Sequence, residues 1–164
     1  MITRQNVTAD DVSFLYQVYK ETREEGLVGM DWDEEEREAF LRMQFDMQRS
    51  SYALQHLAAD HEIIQLDKVP IGQIMTKITD HSIWLIDLSL LAQYRNKGIG
   101  TRLIRDLQER GEELGKVVRL HVLYNNPAQD LYARLGFCIT SEKFPYLAME
   151  WLSSEKAERN KKKD

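Results

Sequence analysis

Hydrophobic residues recur every three or four positions in the first third of the chain, which predicts amphipathic helices. Thr8 and Asp33 each precede one of these segments and are followed by acidic residues, as the N-cap residues of helices are. The hydrophobic positions are Val12, Leu15, Tyr16 and Tyr19 in the first segment and Phe40, Met43 and Met47 in the second. We therefore expect a strand at 2–7, a helix from 8 to about 25, a loop at 27–32 and a second helix from 33 to between 50 and 57.

From residue 61 onward the apolar residues form short runs rich in branched side chains, which is typical of strands. Asp67 and Lys68 separate two of these runs and predict a hairpin. The predicted strands are 61–66, 69–78, 83–91, 117–123, 137–143 and 146–152. The predicted helices run from the glycines at 98 and 100 to about 114, and from 126 to 135. The pattern as a whole predicts an α/β protein with a mixed sheet and helices on both faces.

The size of the chain indicates one domain. Its 164 residues are 43% hydrophobic, which is enough for a single core and too little for two. We expect the domain to span 1–153 and the charged segment 154–164 to be a solvated or disordered tail. The single cysteine, Cys138, excludes an intramolecular disulfide, and we expect it in the core.

Charge and hydropathy limit the partners. A net charge of −5 argues against general nucleic-acid binding, which needs a basic face. No apolar run reaches the roughly 20 residues that cross a bilayer, because Asp80, His81 and Asp87 interrupt the longest one. No leader pattern precedes the first strand. We therefore expect a cytoplasmic protein with no membrane and no nucleic-acid partner.

One segment, Arg95-Asn96-Lys97-Gly98-Ile99-Gly100-Thr101, has the composition of a phosphate-binding turn between a strand and a helix. Glycines let a ligand approach the backbone, and the unpaired N–H groups at a helix start favour phosphate. Position 103 is leucine, so the dinucleotide fingerprint is absent, and the Gly-Lys-Ser/Thr of the triphosphate P-loop is absent as well. The turn predicts a cofactor that carries a pyrophosphate.

The pattern Arg-x-x-Gly-x-Gly at 95–100 resembles the coenzyme A pyrophosphate loop of the GCN5-related N-acetyltransferase (GNAT) family. The family's second signature, Asn-x-x-Ala-x-x-x-Tyr-x-x-x-Gly-Phe, is matched by Asn125, Ala128, Tyr132, Gly136 and Phe137. The two patterns come in the family's order. The resemblance implies a single-domain fold with a mixed, mostly antiparallel sheet of about seven strands, flanked by about four helices. It also implies that the fourth and fifth strands splay apart.

The resemblance further implies acetyl-CoA as cosubstrate, with no metal, and direct attack of a primary amine on the thioester in a ternary complex. The residues that it assigns to the cofactor are the backbone of Leu88, Ser89 and Leu90, the turn residues Arg95, Asn96, Lys97, Gly98, Ile99, Gly100 and Thr101, and Asn125, Ala128 and Tyr132. Tyr132 also has the position of the family's general acid. The acceptor, a small-molecule or a peptide amine, remains open, as do a longer acyl group and a homodimer. A non-catalytic acyl-CoA sensor or scaffold is the alternative from another functional class.

The general base is less clearly marked. Asp87 is the leading candidate, because it interrupts an apolar strand three residues before Leu90 and burial raises a carboxyl pKa toward a useful range. A structural aspartate is an equally good interpretation, and His121 on the next predicted strand is a further candidate. His56 and His61 have no neighbouring cluster of metal ligands, so the sequence predicts no metal site.

Overall fold

The computed structural model describes residues 1–27 and 29–163. Val28, in the predicted loop at 27–32, and Asp164, at the end of the predicted tail, lie outside the described residues. The strands are β1 (Ile2–Asn6), β2 (Asp60–Leu66), β3 (Val69–Ile78), β4 (Ser82–Leu90), β5 (Val117–Leu123), β6 (Cys138–Lys143) and β7 (Tyr146–Trp151). The α-helices are α1 (Val12–Arg23), α2 (Glu34–Gln55), α3 (Ile99–Leu114), α4 (Ala128–Arg134) and α5 (Ser154–Lys163). Short 3-10 segments lie at Ala9–Asp11, Glu24–Leu27 and Ala92–Tyr94.

The strands of the described chain form one sheet in the order β1-β2-β3-β4-β5-β7-β6. β4 and β5 run parallel, whereas β1 pairs with β2, and β7 with both β5 and β6, in antiparallel fashion. Within the described residues the parallel ladder joins 82–85 to 117–120 and ends before Ile86 and His121. The predicted mixed sheet, in which β4 and β5 separate after a parallel start, is confirmed.

Backbone contacts divide the chain into two compact units. The first unit contains Met1–Met75 and Asp87–Arg95, and the second contains Thr76–Ile86 and the chain from Asn96 onward. β3 and β4 therefore each contribute residues to both units. The domain boundary at 153 stays a prediction.

In the first unit, α1 and α2 pack on β2 through Leu15, Phe45 and Ile63. The predicted cap of the first helix is confirmed, since Thr8 forms a reciprocal capping box with Asp11 at the 3-10 turn that leads into α1. The cap of α2 is confirmed as well: the Asp33 carboxylate accepts a hydrogen bond from the backbone N–H of the third helical residue at 2.8 Å.

The apolar positions that predict α2 do not all lie on its core face: Phe40 is half-buried, but the two methionines are not. Met43 and Met47 are 52% and 63% exposed, whereas Leu41 and Phe45 are buried. Because successive residues turn by about 100° around a helix, Met43 and Met47 lie on nearly the opposite side of α2 from Leu41 and Phe45. Exposed apolar side chains are common on protein surfaces, so periodicity alone does not tell which stripe faces the core.

In the second unit, α3 buries Leu103, Ile104 and Leu107, which confirms the predicted amphipathic helix. The neighbouring strand β5 contributes Val118 and Leu120 to the buried apolar set. These contacts hold the start of α3, where the predicted phosphate turn lies, on a rigid support.

Two predictions about the last part of the chain are wrong. Cys138 is exposed, because β6 is the outermost strand of the sheet. The segment 154–163 is the helix α5 and not a disordered tail. The helix is held at its start, where the backbone N–H of Ser154 donates to Glu112 Oε1 at 2.8 Å, and by an ion pair between Glu155 and Arg159. Across the described residues, no helix has both the length and the apolar content required to span a membrane.

Candidate functional site

The predicted phosphate turn is a tight turn that leads directly into α3. Asn96 and Gly98 adopt left-handed backbone conformations, with φ of 59° and 81°. Gly98 is the N-cap of α3, and its carbonyl accepts a hydrogen bond from the backbone N–H of Arg102 at 3.1 Å. The first N–H groups of a helix have no acceptor inside the helix and lie at the positive end of its dipole. The start of α3 therefore has the geometry of an anion site.

Open space lies over the first turn of α3. Glycine at 98 is explained by its φ, since a left-handed conformation costs other residues about 1–2 kcal/mol. Gly100 is helical, and a Cβ there would meet Leu131 Cδ2 at 3.8 Å, which is an ordinary contact. Neither the backbone angle nor packing within this unit accounts for glycine at 100. The backbone at this position is therefore open to a close approach from outside the helix.

The turn after β4 holds charged side chains against the backbone of the first unit. Arg95 Nε donates to the carbonyl oxygen of Leu90 at 3.0 Å, and the backbone N–H of Ala92 donates to Glu21 Oε1 at 3.3 Å. Among the described residues, Arg95 Nη2 and Glu21 Oε2 are buried without a hydrogen-bond partner. Buried polar atoms in proteins are nearly always paired, so this turn suits a bound polar group. Sequence reasoning missed Glu21, because it is one of several acids in a helical pattern.

The end of β4 is fixed by β3. Leu91 N–H donates to the carbonyl of Ile71 at 2.8 Å, and alternate N–H groups of a strand point to opposite sides. The N–H of Leu90 therefore points away from β3. A Cβ on Gly72 of β3 would overlap the carbonyl oxygen of Ser89 and come within 2.8 Å of Leu90 Cδ2. Glycine at 72 thus allows β3 to support the backbone of the segment 88–90, whose side chains are half-buried.

Asp87 lies on β4 with a hydrogen bond to each carboxylate oxygen. Oδ2 accepts from Gln73 Nε2 at 3.0 Å, and Oδ1 accepts from the backbone N–H of Leu88 at 3.1 Å. Burial raises the pKa of Asp87, and the hydrogen bond from Gln73, the charge of Arg23, the Leu88 N–H and His61 oppose that increase. Asp87 is therefore a carboxyl group that binds a proton more readily than an ordinary aspartate does.

Gln73 joins Asp87 to two further side chains. Its Nε2 also donates to Ser89 Oγ at 3.1 Å, and its Oε1 lies 2.9 Å from His61 Nε2. We call His61, Gln73, Asp87 and Ser89 the Gln73 cluster. Sequence reasoning missed Gln73, although it interrupts an apolar strand in the same way as Asp87 does. That interruption is the signal that could have identified it.

The second signature is partly buried in the second unit. Tyr132 on α4 is 9% exposed, and its ring centroid lies 5.8 Å from that of Phe137. Asn125 is exposed, and it is Asn126 whose Oδ1 accepts from the backbone N–H of Ala128 at 2.9 Å. The side chain that bonds to the start of α4 is thus that of the residue after the one that the signature marks.

Two further histidines, His121 and His56, have aromatic rings as their neighbours. His121 is exposed and its ring packs on Trp84 at 5.3 Å between centroids. His56 packs on Tyr52 at 5.6 Å between centroids. In the described ranges, no three His, Cys, Asp or Glu side chains are grouped as metal ligands would be.

Comparison with known proteins identifies the family. The profile of the acetyltransferase (GNAT) family matches residues 13–137, which is well over half of the chain. The chain belongs to the acetyltransferase (GNAT) family. The matched range includes the phosphate turn, Asp87 and Tyr132, so both resemblances seen in the sequence lie inside this GNAT region. A comparison with curated protein sequences finds no match.

Solved structures share the GNAT fold over nearly the whole chain. The PaiA N-acetyltransferase of Thermoplasma acidophilum, in complex with coenzyme A, has 22% identity and a TM-score of 0.68 over 93% of this chain and 99% of its own. The spermidine N-acetyltransferase of Vibrio cholerae, in complex with CoA and spermine, has 19% identity and a TM-score of 0.63 over 95% and 98%. The ribosomal-protein-S18-alanine N-acetyltransferase of Escherichia coli has 17% identity and a TM-score of 0.61 over 93% and 95%. At these identities the likeness establishes the fold.

Proposed function

We propose that this GNAT protein is an N-acetyltransferase that transfers the acetyl group of acetyl-CoA to a primary amine by direct attack in a ternary complex. The observation that carries the proposal is the turn at 96–98, with two left-handed residues directly before the start of α3. Family membership favours acetyl transfer, and three similar folds belong to N-acetyltransferases, two of them in complex with coenzyme A.

The cofactor is bound in two parts. The pyrophosphate takes hydrogen bonds from the first N–H groups of α3, with Arg95 and Lys97 supplying positive charge and Asn96, Gly98, Ile99, Gly100 and Thr101 forming the turn. The open space at Gly100 supports this assignment. The pantetheine arm pairs with the backbone of the segment 88–90, and Asn125, Ala128 and Tyr132 complete the site.

Acetyl-CoA supplies the activated thioester, and the protein manages two protons. A primary amine has a pKa of about 10.4 and is protonated at neutral pH. Asp87 accepts its proton, directly or through water, so that the lone pair is free to attack. The raised pKa of Asp87 makes it a stronger base than an ordinary aspartate. The N–H of Leu90 stabilises negative charge on the thioester oxygen. Tyr132 gives its phenolic proton to the departing thiolate, and the second proton, which the acylated nitrogen loses, returns through water to the Tyr132 oxygen.

The acceptor is a small-molecule or peptide amine. The similar structures include enzymes for spermidine and for the alanine of a ribosomal protein, so one fold serves acceptors of different size. Fold alone does not select a substrate. The carboxyl groups of Asp87 and Glu21 in the first unit favour a cationic acceptor.

The test has two stages. Calorimetric titration with acetyl-CoA first measures binding, and a panel of amines is then added to the saturated protein while free thiol is followed. Binding with thiol release for one class of amine is the expected result and names the acceptor. Binding without release across the panel would replace the enzyme with a non-catalytic sensor, and absence of binding would overturn both readings.

A further inference from the structure

We propose that Gln73 is a two-position amide switch that couples the ionisation of Asp87 to the position of the ring proton on His61. Its effect on catalysis rests on the proposed function, in which Asp87 accepts the amine proton. The coupling itself is a property of the Gln73 cluster and exists whether or not the protein turns over.

The geometry holds the Gln73 amide at both ends. His61, Gln73 and Asp87 come from β2, β3 and β4, which are neighbours in the sheet. Gln73 is 6% exposed, its Oε1 lies 2.9 Å from His61 Nε2, and its Nε2 lies 3.0 Å from Asp87 Oδ2. A buried amide between two titratable groups must match a donor to an acceptor at each end. The protonation states of the two groups therefore decide which way the amide faces.

In the first position Asp87 is ionised. A carboxylate only accepts hydrogen bonds, so the NH₂ group of Gln73 must face Asp87. The carbonyl oxygen of Gln73 then faces His61, and the ring must carry a proton on Nε2. The amide in the structure has this orientation, with Oε1 toward His61 and Nε2 toward Asp87.

In the second position Asp87 carries the proton taken from the amine. Its O–H is now a donor, and the matching arrangement turns the Gln73 carbonyl oxygen toward it. The NH₂ group then faces His61, whose Nε2 must accept, so the ring proton lies on Nδ1. His61 is half-buried and makes this change by exchange with solvent. The ring stays neutral, and the proton count changes at Asp87 alone.

The switch gives His61 control over the base. A doubly protonated His61 donates from both nitrogens and holds Gln73 in the first position, which favours the carboxylate. The charged groups that act on Asp87 are Arg23 from α1 and His61 from β2, and both favour the ionised form. Ser89 Oγ accepts a hydrogen bond from Gln73 Nε2 in the first position. In the second position it can donate to Gln73 Oε1, so the Ser89 hydroxyl has a partner in both positions.

A double-mutant cycle tests the coupling without any turnover. The titration of the Asp87 carboxyl carbon is followed by ¹³C NMR in the parent, Gln73→Met, His61→Phe and the double variant. Gln73→Met keeps the length of the side chain but removes its hydrogen bonds. We expect each single variant to move the midpoint upward, on the order of one pH unit, since each weakens the donor that favours the carboxylate. We expect the shift caused by His61→Phe to be clearly smaller in the Gln73→Met background than in the parent, because the part of the His61 effect that passes through Gln73 is lost there and only its direct charge remains.

The chain offers a matched control. Gln65 is a strand glutamine whose amide bonds to Gln5 and Thr3, and Gln65→Met should leave the Asp87 midpoint unchanged. If His61→Phe moves the midpoint equally with and without Gln73, the effect is a through-space charge and the switch is refuted. An unchanged midpoint in Gln73→Met refutes it as well.

Kinetics separate this proposal from the proposed function. In an active enzyme, Gln73→Met should move the acidic limb of kcat/KM upward by the shift seen in the NMR titration, while the rate on the alkaline side is retained. A non-additive NMR cycle in a protein that releases no thiol would leave the switch standing and overturn the enzyme. An additive cycle in an enzyme that releases thiol would refute the switch and leave the proposed function standing.

Discussion

The Gln73 cluster and the turn at 95–101 are both polar sites, but their polar groups are satisfied in opposite ways. In the cluster, buried and half-buried side chains find partners within the first unit, and Asp87 has a donor on each oxygen. In the turn, the protein supplies backbone N–H groups and open space over Gly100. The cluster is complete in the protein alone, whereas the turn has the form of a site completed by a ligand. Side-chain changes should therefore damage proton transfer at the cluster, and changes in bulk or charge should damage binding at the turn.

The largest effect should come from removing the base. Asp87→Asn keeps the shape of the side chain but cannot take the amine proton, so we expect kcat to fall by about 10²–10⁴-fold with the Kd for acetyl-CoA unchanged. Steady-state rates and calorimetric titration measure the two quantities. Asp80→Asn, at an exposed position before β4, is the matched control and should keep parental activity. A parental rate and acidic limb in Asp87→Asn would make Asp87 a structural residue.

A smaller effect, on binding alone, should follow from filling the turn. Gly100→Asp places a side chain and a negative charge where the phosphate is proposed to lie, so we expect the Kd for acetyl-CoA to rise by about tenfold or more, or 1.4 kcal/mol. Calorimetry measures it. Gly26→Asp is the control, because a Cβ at Gly26 meets no atom within 4 Å and the residue is exposed. Equal affinity in both variants would contradict the assignment of the turn.

The smallest effect should appear in the pH dependence of stability. Burial raises the pKa of Asp87 above its unfolded value of about 3.9. The stabilising contribution of this group is therefore fully present below the unfolded pKa and is lost as the pH rises through the folded pKa. Asp87→Asn cannot ionise, so its free energy of unfolding should fall less over that range. Urea unfolding at a series of pH values measures the difference, and a constant difference would exclude the raised pKa.

Local patterns in the sequence predicted much of this fold. Gly98 and the apolar positions of α3 mark a turn and a helix through neighbours in the chain, and the structure has both. The caps at Thr8 and Asp33 are equally local and are present. Features that depend on contacts between distant residues were missed. The core face of α2 depends on which stripe meets β2, and α5 depends on the hydrogen bond from Ser154 to Glu112.

The same distinction applies to the candidate site. Asp87 was found because it interrupts an apolar run, but its partner Gln73 lies 14 positions earlier and His61 a further 12. Only the pairing of strands brings these side chains together. The roles of Asp87, Tyr132 and the turn residues stay predictions until they are tested, whereas the GNAT family and its sheet are established.

The close packing at Gly72 marks a position for the redesign of this protein. Gly72 needs its small size because the backbone of Ser89 and Leu90 lies against it. A side chain at this position would push the end of β4 outward. It would thereby shift the backbone of the segment 88–90, which is proposed to pair with the pantetheine arm of the acyl donor. Position 72 thus sets how closely β3 supports this edge, and it is where a library aimed at new donors should begin.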